Sequence, residues 1–64
     1  MGIIFDDELA DSLTRSQFER DKKLQPETYD FYYYPTFGGK KFEVRWSKDI
    51  NVTNPQWHII VSEV

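Results

Sequence analysis

The chain contains no cysteine and only one histidine, His58, among its 64 residues. Without thiols, no disulfide can cross-link the fold and no thiolate can hold a metal ion. A single imidazole also argues against a protein-ligated zinc site, so we expect no metal and no cofactor. Stability must therefore come from apolar packing, for which the sequence supplies two Trp, four Tyr and five Phe residues.

Long apolar runs are also lacking, and no stretch is long or apolar enough to span a membrane. Residues 1–5 lead directly into Asp6-Asp7-Glu8, whereas a secretory signal begins with basic residues and has a longer apolar stretch. We therefore expect a cytoplasmic protein that does not bind membranes. The net charge of −3 disfavours a general nucleic-acid binder.

Catalytic motifs are equally scarce. None of the four serines lies in a nucleophile-elbow motif. Gly38-Gly39-Lys40-Lys41 lacks the spacing of a phosphate-binding loop and indicates a hairpin turn instead. The acidic residues of segment 6–11 fan apart on a helix and do not converge as ligands of a hard cation. The sequence therefore predicts a protein without enzymatic activity.

The first half of the chain predicts a helical region at about 6–25, with Asp6 or Asp7 as its cap and Pro26 as its end. Four apolar residues form one helical stripe, namely Phe5, Leu9, Leu13 and Leu24. Phe18 falls opposite that stripe, which leaves two alternatives. Either the helix is continuous and Phe18 faces a partner, or it breaks near Ser12–Ser16, where capping-box matches allow a restart.

The second half predicts three strands, at about 29–34, 41–47 and 56–62. The first contains the run Tyr29-Asp30-Phe31-Tyr32-Tyr33-Tyr34, whose bulky rings favour a pleated strand over a helix. Short connections favour an antiparallel meander with strand order 1-2-3, and the helix should cover one face. We therefore predict a single α+β domain that spans residues 1–64.

Alternation assigns the two faces of this sheet. The strand 41–47 must turn Phe42, Val44 and Trp46 inwards, because the residues between them are charged. The predicted core is completed by the helical stripe and by the matching residues of the other strands, Tyr29, Phe31, Tyr33, Trp57, Ile59 and Val61.

The outer face carries more aromatic residues than a solvated surface requires. The predicted partner-binding surface consists of Tyr32, Tyr34, Lys41, Arg45, His58 and Ile60. Tyrosine and arginine are enriched at binding hot spots, so this surface predicts docking on a larger protein. Stacking of Arg45 on a tyrosine, together with cross-strand pairing, would explain the same rings without any ligand.

Other hypotheses stay open beside this one. The acidic helix is a second candidate surface, around Asp7, Asp11 and Phe18, that would attract a basic partner. The exposed rings could instead hold single-stranded nucleic acid, although the negative net charge of the chain disfavours this hypothesis. Homodimerisation or a purely structural role is a further alternative. The leading hypothesis is a small regulator or inhibitor, of the kind that phages and other mobile elements often carry.

Overall fold

A computed structural model describes residues 5–64, so the first four residues of the predicted domain lie outside it. Its elements are helix α1 (Asp7–Leu24) and strands β1 (Asp30–Tyr33), β2 (Thr36–Phe37), β3 (Lys40–Lys48) and β4 (Trp57–Glu63). The helix packs on one face of an antiparallel sheet, which confirms the α+β fold class. The sheet has four strands where three were predicted.

Strand β3 is the centre of the sheet. It pairs antiparallel with β1 and β2 along one side and with β4 along the other. Trp46 marks the register, because it lies opposite Phe31 of β1 and opposite Ile59 of β4. The predicted neighbours in the meander are therefore correct, and the extra strand, β2, lies beyond the predicted first strand and is divided from β1.

Proline 35 accounts for that division. Strands β1 and β2 keep one register along β3, and the backbone N–H of Phe42 still donates to the Pro35 carbonyl at 3.0 Å. Proline has no N–H to return the bond, so the ladder is interrupted there. Beyond it, Gly38 and Gly39 take φ values of 61° and 77°, which are those of a two-residue hairpin turn.

Helix α1 is continuous through Ser12–Ser16, so the predicted break is wrong. The carboxylate of Asp6 accepts from the Leu9 N–H at 2.9 Å and caps the start, and the helix ends two residues before Pro26. The alternative is right about the continuous helix, but its expectation that Phe18 faces a partner is wrong. Phe18 is only 1% exposed and stacks on Trp46, with ring centroids 3.9 Å apart.

The buried face of α1 differs from the predicted leucine stripe. It consists of Ala10, Thr14 and Phe18, spaced at i, i+4 and i+8. Leu13 and Leu24 are 43% and 71% exposed, so both were wrongly placed in the core. Two residues of this face contact Trp46 of the sheet directly, because Phe18 stacks on its ring and Thr14 accepts its hydrogen bond.

A buried hydrogen-bond chain explains the threonine in this face. The indole Nε1 of Trp46 donates to Thr14 Oγ1 at 2.8 Å, and that hydroxyl donates to the Ala10 carbonyl at 2.7 Å. A buried indole N–H needs an acceptor, which no leucine could supply. The hydroxyl therefore lets the largest ring of the sheet enter the core without an unsatisfied donor.

The sheet contributes most of the predicted core as expected. Phe31, Val44 and Trp46 are buried, and five further residues pack against them in half-buried positions, namely Phe5, Tyr33, Trp57, Ile59 and Val61. Phe42 is half-buried and stacks on Phe5. Tyr29 was wrongly predicted to be in the core, because it precedes β1 and is exposed.

Candidate partner-binding surfaces

The sheet face opposite α1 contains the predicted partner-binding surface and is called the open face below. No element within residues 5–64 covers it. Tyr32, Arg45 and Ile60 form one row across the three long strands, because both tyrosine and isoleucine lie opposite the arginine. Tyr32, Tyr34 and Ile60 are 49%, 52% and 43% exposed. Lys41 and His58 are exposed on the same side of the sheet.

Arg45 is held in place by Asp30. Two of its nitrogens, Nε and Nη2, donate to Asp30 Oδ1 at 2.9 and 2.7 Å. Its guanidinium carbon also lies 5.5 Å from the centroid of the Tyr32 ring. Hydrogen bonds from Arg45, and then from Ser47, lower the pKa of Asp30. The cation is therefore neutralised by a carboxylate while it supports an exposed ring.

Tyr34 belongs to a second cluster on the open face. Its hydroxyl donates to Glu43 Oε1 at 3.3 Å, and the Lys41 ammonium lies 5.9 Å from its ring centroid. Burial, followed by the negative charge of Glu43, raises the pKa of Tyr34, so the phenol stays protonated and can donate. Both exposed tyrosines are thus held by partners on the neighbouring strand, which limits the entropy lost when they bind.

A groove between α1 and β4, called the helix–strand groove below, was not anticipated from the sequence. Its volume is about 510 Å³. Phe18, Trp46 and Trp57 contribute aromatic lining, and the helix contributes four acids and two bases. The groove lies between α1 and β4, and charged residues of the helix line it because the buried face of α1 consists of Ala10, Thr14 and Phe18. A helical stripe drawn through the leucines could not reveal it.

Charged groups in the helix–strand groove are largely engaged with one another. Arg15 donates to both oxygens of Asp11 at 2.6 Å and to Glu19 at 3.3 Å. Its guanidinium also lies 5.3 Å from the Trp46 ring centroid. The hydrogen bond from Arg15 lowers the pKa of Asp11. Such ion pairs between residues four apart are typical of a solvated helix face, and each member of this network is paired with an opposite charge.

The second candidate surface, around Asp7, Asp11 and Phe18, is smaller in the structure than was predicted. Phe18 lies in the core with only 1% of its surface exposed, at the floor of the helix–strand groove, so its inclusion was wrong. Asp11 pairs with Arg15, while Asp7 is exposed in the first turn of α1. What is left is a short acidic segment at the start of the helix, where negative charge suits the helix dipole.

Two features are absent from the described residues. Among residues 5–64, no three His, Asp or Glu side chains come together as metal ligands. None of the helices in that range is long and apolar enough to cross a membrane. Comparison with known protein families, with characterised proteins and with solved structures finds no match for this chain.

Proposed function

We propose that this chain is a small, non-enzymatic, cytoplasmic protein-binding module that acts as a regulator or inhibitor by docking its open face on a larger protein. The supporting observation is the exposure of Tyr32, Tyr34 and Ile60, each about half accessible, on a sheet face that the rest of the described chain leaves uncovered. Large exposed rings beside an arginine are the side chains that dominate binding energy at protein interfaces.

The charges of the open face favour a protein partner over a nucleic acid. Arg45 is paired with Asp30, and Lys41 lies over Tyr34 beside Glu43. Nucleic-acid binding depends on cations that are free to replace the counterions of phosphates. A face whose arginine is neutralised by an acid suits instead a protein surface with an apolar centre and a polar rim.

The proposal is tested by affinity capture from the organism that encodes the chain. Wild-type protein and the variant Tyr32→Ala/Tyr34→Ala are compared, with Leu24→Ala as the matched control, because Leu24 is exposed on the helix. The captured protein is then purified and its dissociation constant is measured by calorimetry. We expect the double variant to bind at least about tenfold more weakly, or about 1.4 kcal/mol, and the control to bind like wild type.

Equal binding by all three proteins would show that the open face is not the site. Circular dichroism confirms that the double variant is folded, which the exposure of both tyrosines leads us to expect. Single-stranded oligonucleotides at low and moderate salt form the competing arm. Salt-sensitive binding that disappears in Tyr34→Ala would replace the proposal with nucleic-acid recognition.

A further inference from the structure

The outer edge of β4 is unpaired within the described residues. The Val64 N–H donates to the Lys41 carbonyl at 3.0 Å, so these two residues form a hydrogen-bonded pair of the β3–β4 ladder. In an antiparallel pair, residues alternate between bonding the neighbouring strand and pointing away from it. The N–H and C=O groups of Trp57, Ile59, Val61 and Glu63 therefore point outwards, and no residue from 5 to 64 bonds them.

The two edges of the sheet are protected very differently. Along the opposite edge, Pro35 divides the chain into β1 of four residues and β2 of two. Strand β4 has seven residues, and it contains neither a proline nor a lysine. Proteins normally blunt an exposed edge with proline, with lysine or with a short strand. The sequence does so on one edge and leaves the other as a template for pairing.

We propose that β4 pairs antiparallel with β4 of a second copy of this chain, about a two-fold axis at Ile60, to form one continuous sheet. In this register, every residue whose backbone groups point outwards pairs with such a residue of the second copy. Ile59 then pairs with Val61 of the second copy, and Trp57 pairs with Glu63. A two-fold axis at Ile59 or at Val61 would leave an end of the strand unpaired.

The side chains on β4 suit that register. His58 lies opposite Ser62 of the second copy, Ile60 lies opposite its own counterpart, and no two like charges face each other. Apolar and β-branched pairs across an antiparallel ladder are stabilising, whereas like charges in that position are not. The surface is self-complementary, as a two-fold interface must be. It leaves Tyr32 and Tyr34 free, and although it shares Ile60 and His58 with the open face, it does not depend on the proposed docking function.

Single cysteines test this register, because the chain has none of its own. Residues opposite each other in a non-hydrogen-bonded pair have Cα atoms about 4.5 Å apart, which is within disulfide range. We expect Ile60→Cys to form a covalent dimer under mild oxidation. His58→Cys and Ser62→Cys should each form no covalent dimer, because their counterparts lie four residues, or about 13 Å, away. An equimolar mixture of these two variants should cross-link.

Charge repulsion gives a second measurement that needs no oxidation. Light scattering should show wild type approaching twice the monomer mass as its concentration rises. The variant His58→Lys/Ser62→Lys sets lysines opposite each other twice, and its dimer dissociation constant should rise at least tenfold. Ser62→Lys alone is the matched control, because within one chain it faces Glu43 and should not weaken the fold.

Two results would overturn the pairing of β4. The first is a wild-type protein that stays monomeric up to millimolar concentration. The second is equal cross-linking of the Ile60→Cys, His58→Cys and Ser62→Cys variants, which would reveal random collision in place of a fixed register.

Discussion

The two faces of this sheet contain the same kinds of side chain, an arginine beside an aromatic ring, in different surroundings. On the face covered by α1, Arg15 lies over Trp46, which stacks on Phe18 with an interplanar angle of 11°. On the open face, Arg45 lies over Tyr32, and no aromatic ring among residues 5–64 stacks on the tyrosine. The difference lies in the helix, which supplies the second layer to one face only.

This comparison shows how a short chain can separate stability from recognition. Alternate residues of β3 belong to opposite faces, so Trp46 can be fixed by the core while Arg45 is available to solvent one residue away. Substitutions on the covered face should therefore change folding, and substitutions on the open face should change binding.

Trp46→Ala should have the largest effect. Truncation of a buried tryptophan costs about 3–5 kcal/mol, and small domains have total stabilities of roughly 5–15 kcal/mol. We expect the variant to be largely unfolded, while Tyr32→Ala on the open face loses less than about 1 kcal/mol. Urea denaturation followed by circular dichroism measures both changes.

Trp46→Phe keeps this first comparison measurable if the alanine variant does not fold. It preserves a ring against Phe18 but loses the hydrogen bond to Thr14, so its stability should fall between wild type and Trp46→Ala. If Trp46→Ala and Tyr32→Ala lowered the free energy of unfolding equally, the two faces would not differ in the way that the structure shows.

Thr14→Val should have an intermediate effect. The substitution keeps the volume but removes the acceptor of the Trp46 indole, and a buried unsatisfied donor costs about 1–3 kcal/mol. Thr14→Ser retains the hydroxyl and should lose less. A valine variant as stable as wild type would show that the indole finds another acceptor. The same urea titration gives the free energy of unfolding for each variant.

The smallest effect concerns pH and the two Asp–Arg pairs, Asp30–Arg45 and Asp11–Arg15. In both pairs the carboxyl pKa is lowered by the arginine in the folded state. A lowered folded-state pKa stabilises the protein above the unfolded-state value of about 3.9, and this contribution is lost as the pH falls through the folded-state pKa. Stability should therefore decline below about pH 4.

Substitution of Arg45 separates the two pairs. In Arg45→Gln, the pKa of Asp30 should rise towards its ordinary value while that of Asp11 stays low. A titration followed by NMR of the carboxyl carbons measures both groups in one sample. If the two pKa values moved together, the open face and the helix–strand groove would be electrostatically linked.

The strands could be predicted well from the sequence because their alternation is unambiguous. In β3, Phe42, Val44 and Trp46 alternate with charged residues, which fixes both faces and, through the register, those of β1 and β4. The open-face residues were therefore brought together as predicted. The division at Pro35 could have been anticipated from its missing N–H, although the continuation of the register beyond it could not.

The helix face could not be predicted from hydrophobicity alone. The four leucine and phenylalanine positions form the more apolar stripe, but the indole of Trp46 requires an acceptor, which Thr14 provides. Only knowledge of what lies beneath the helix distinguishes the two stripes. The helix–strand groove follows from that same choice and was missed for the same reason.

The unbroken register of β1 and β2 along β3 has a consequence for the order of folding. Gly38 and Gly39 close the shortest loop in the sheet, between Phe37 and Lys40, and short loops lose the least entropy on closure. From that turn, pairing can extend past Pro35 to Tyr29 and Lys48 without a change of partner. We therefore expect the long hairpin to form early, with β4 and the helix added to a strand already aligned.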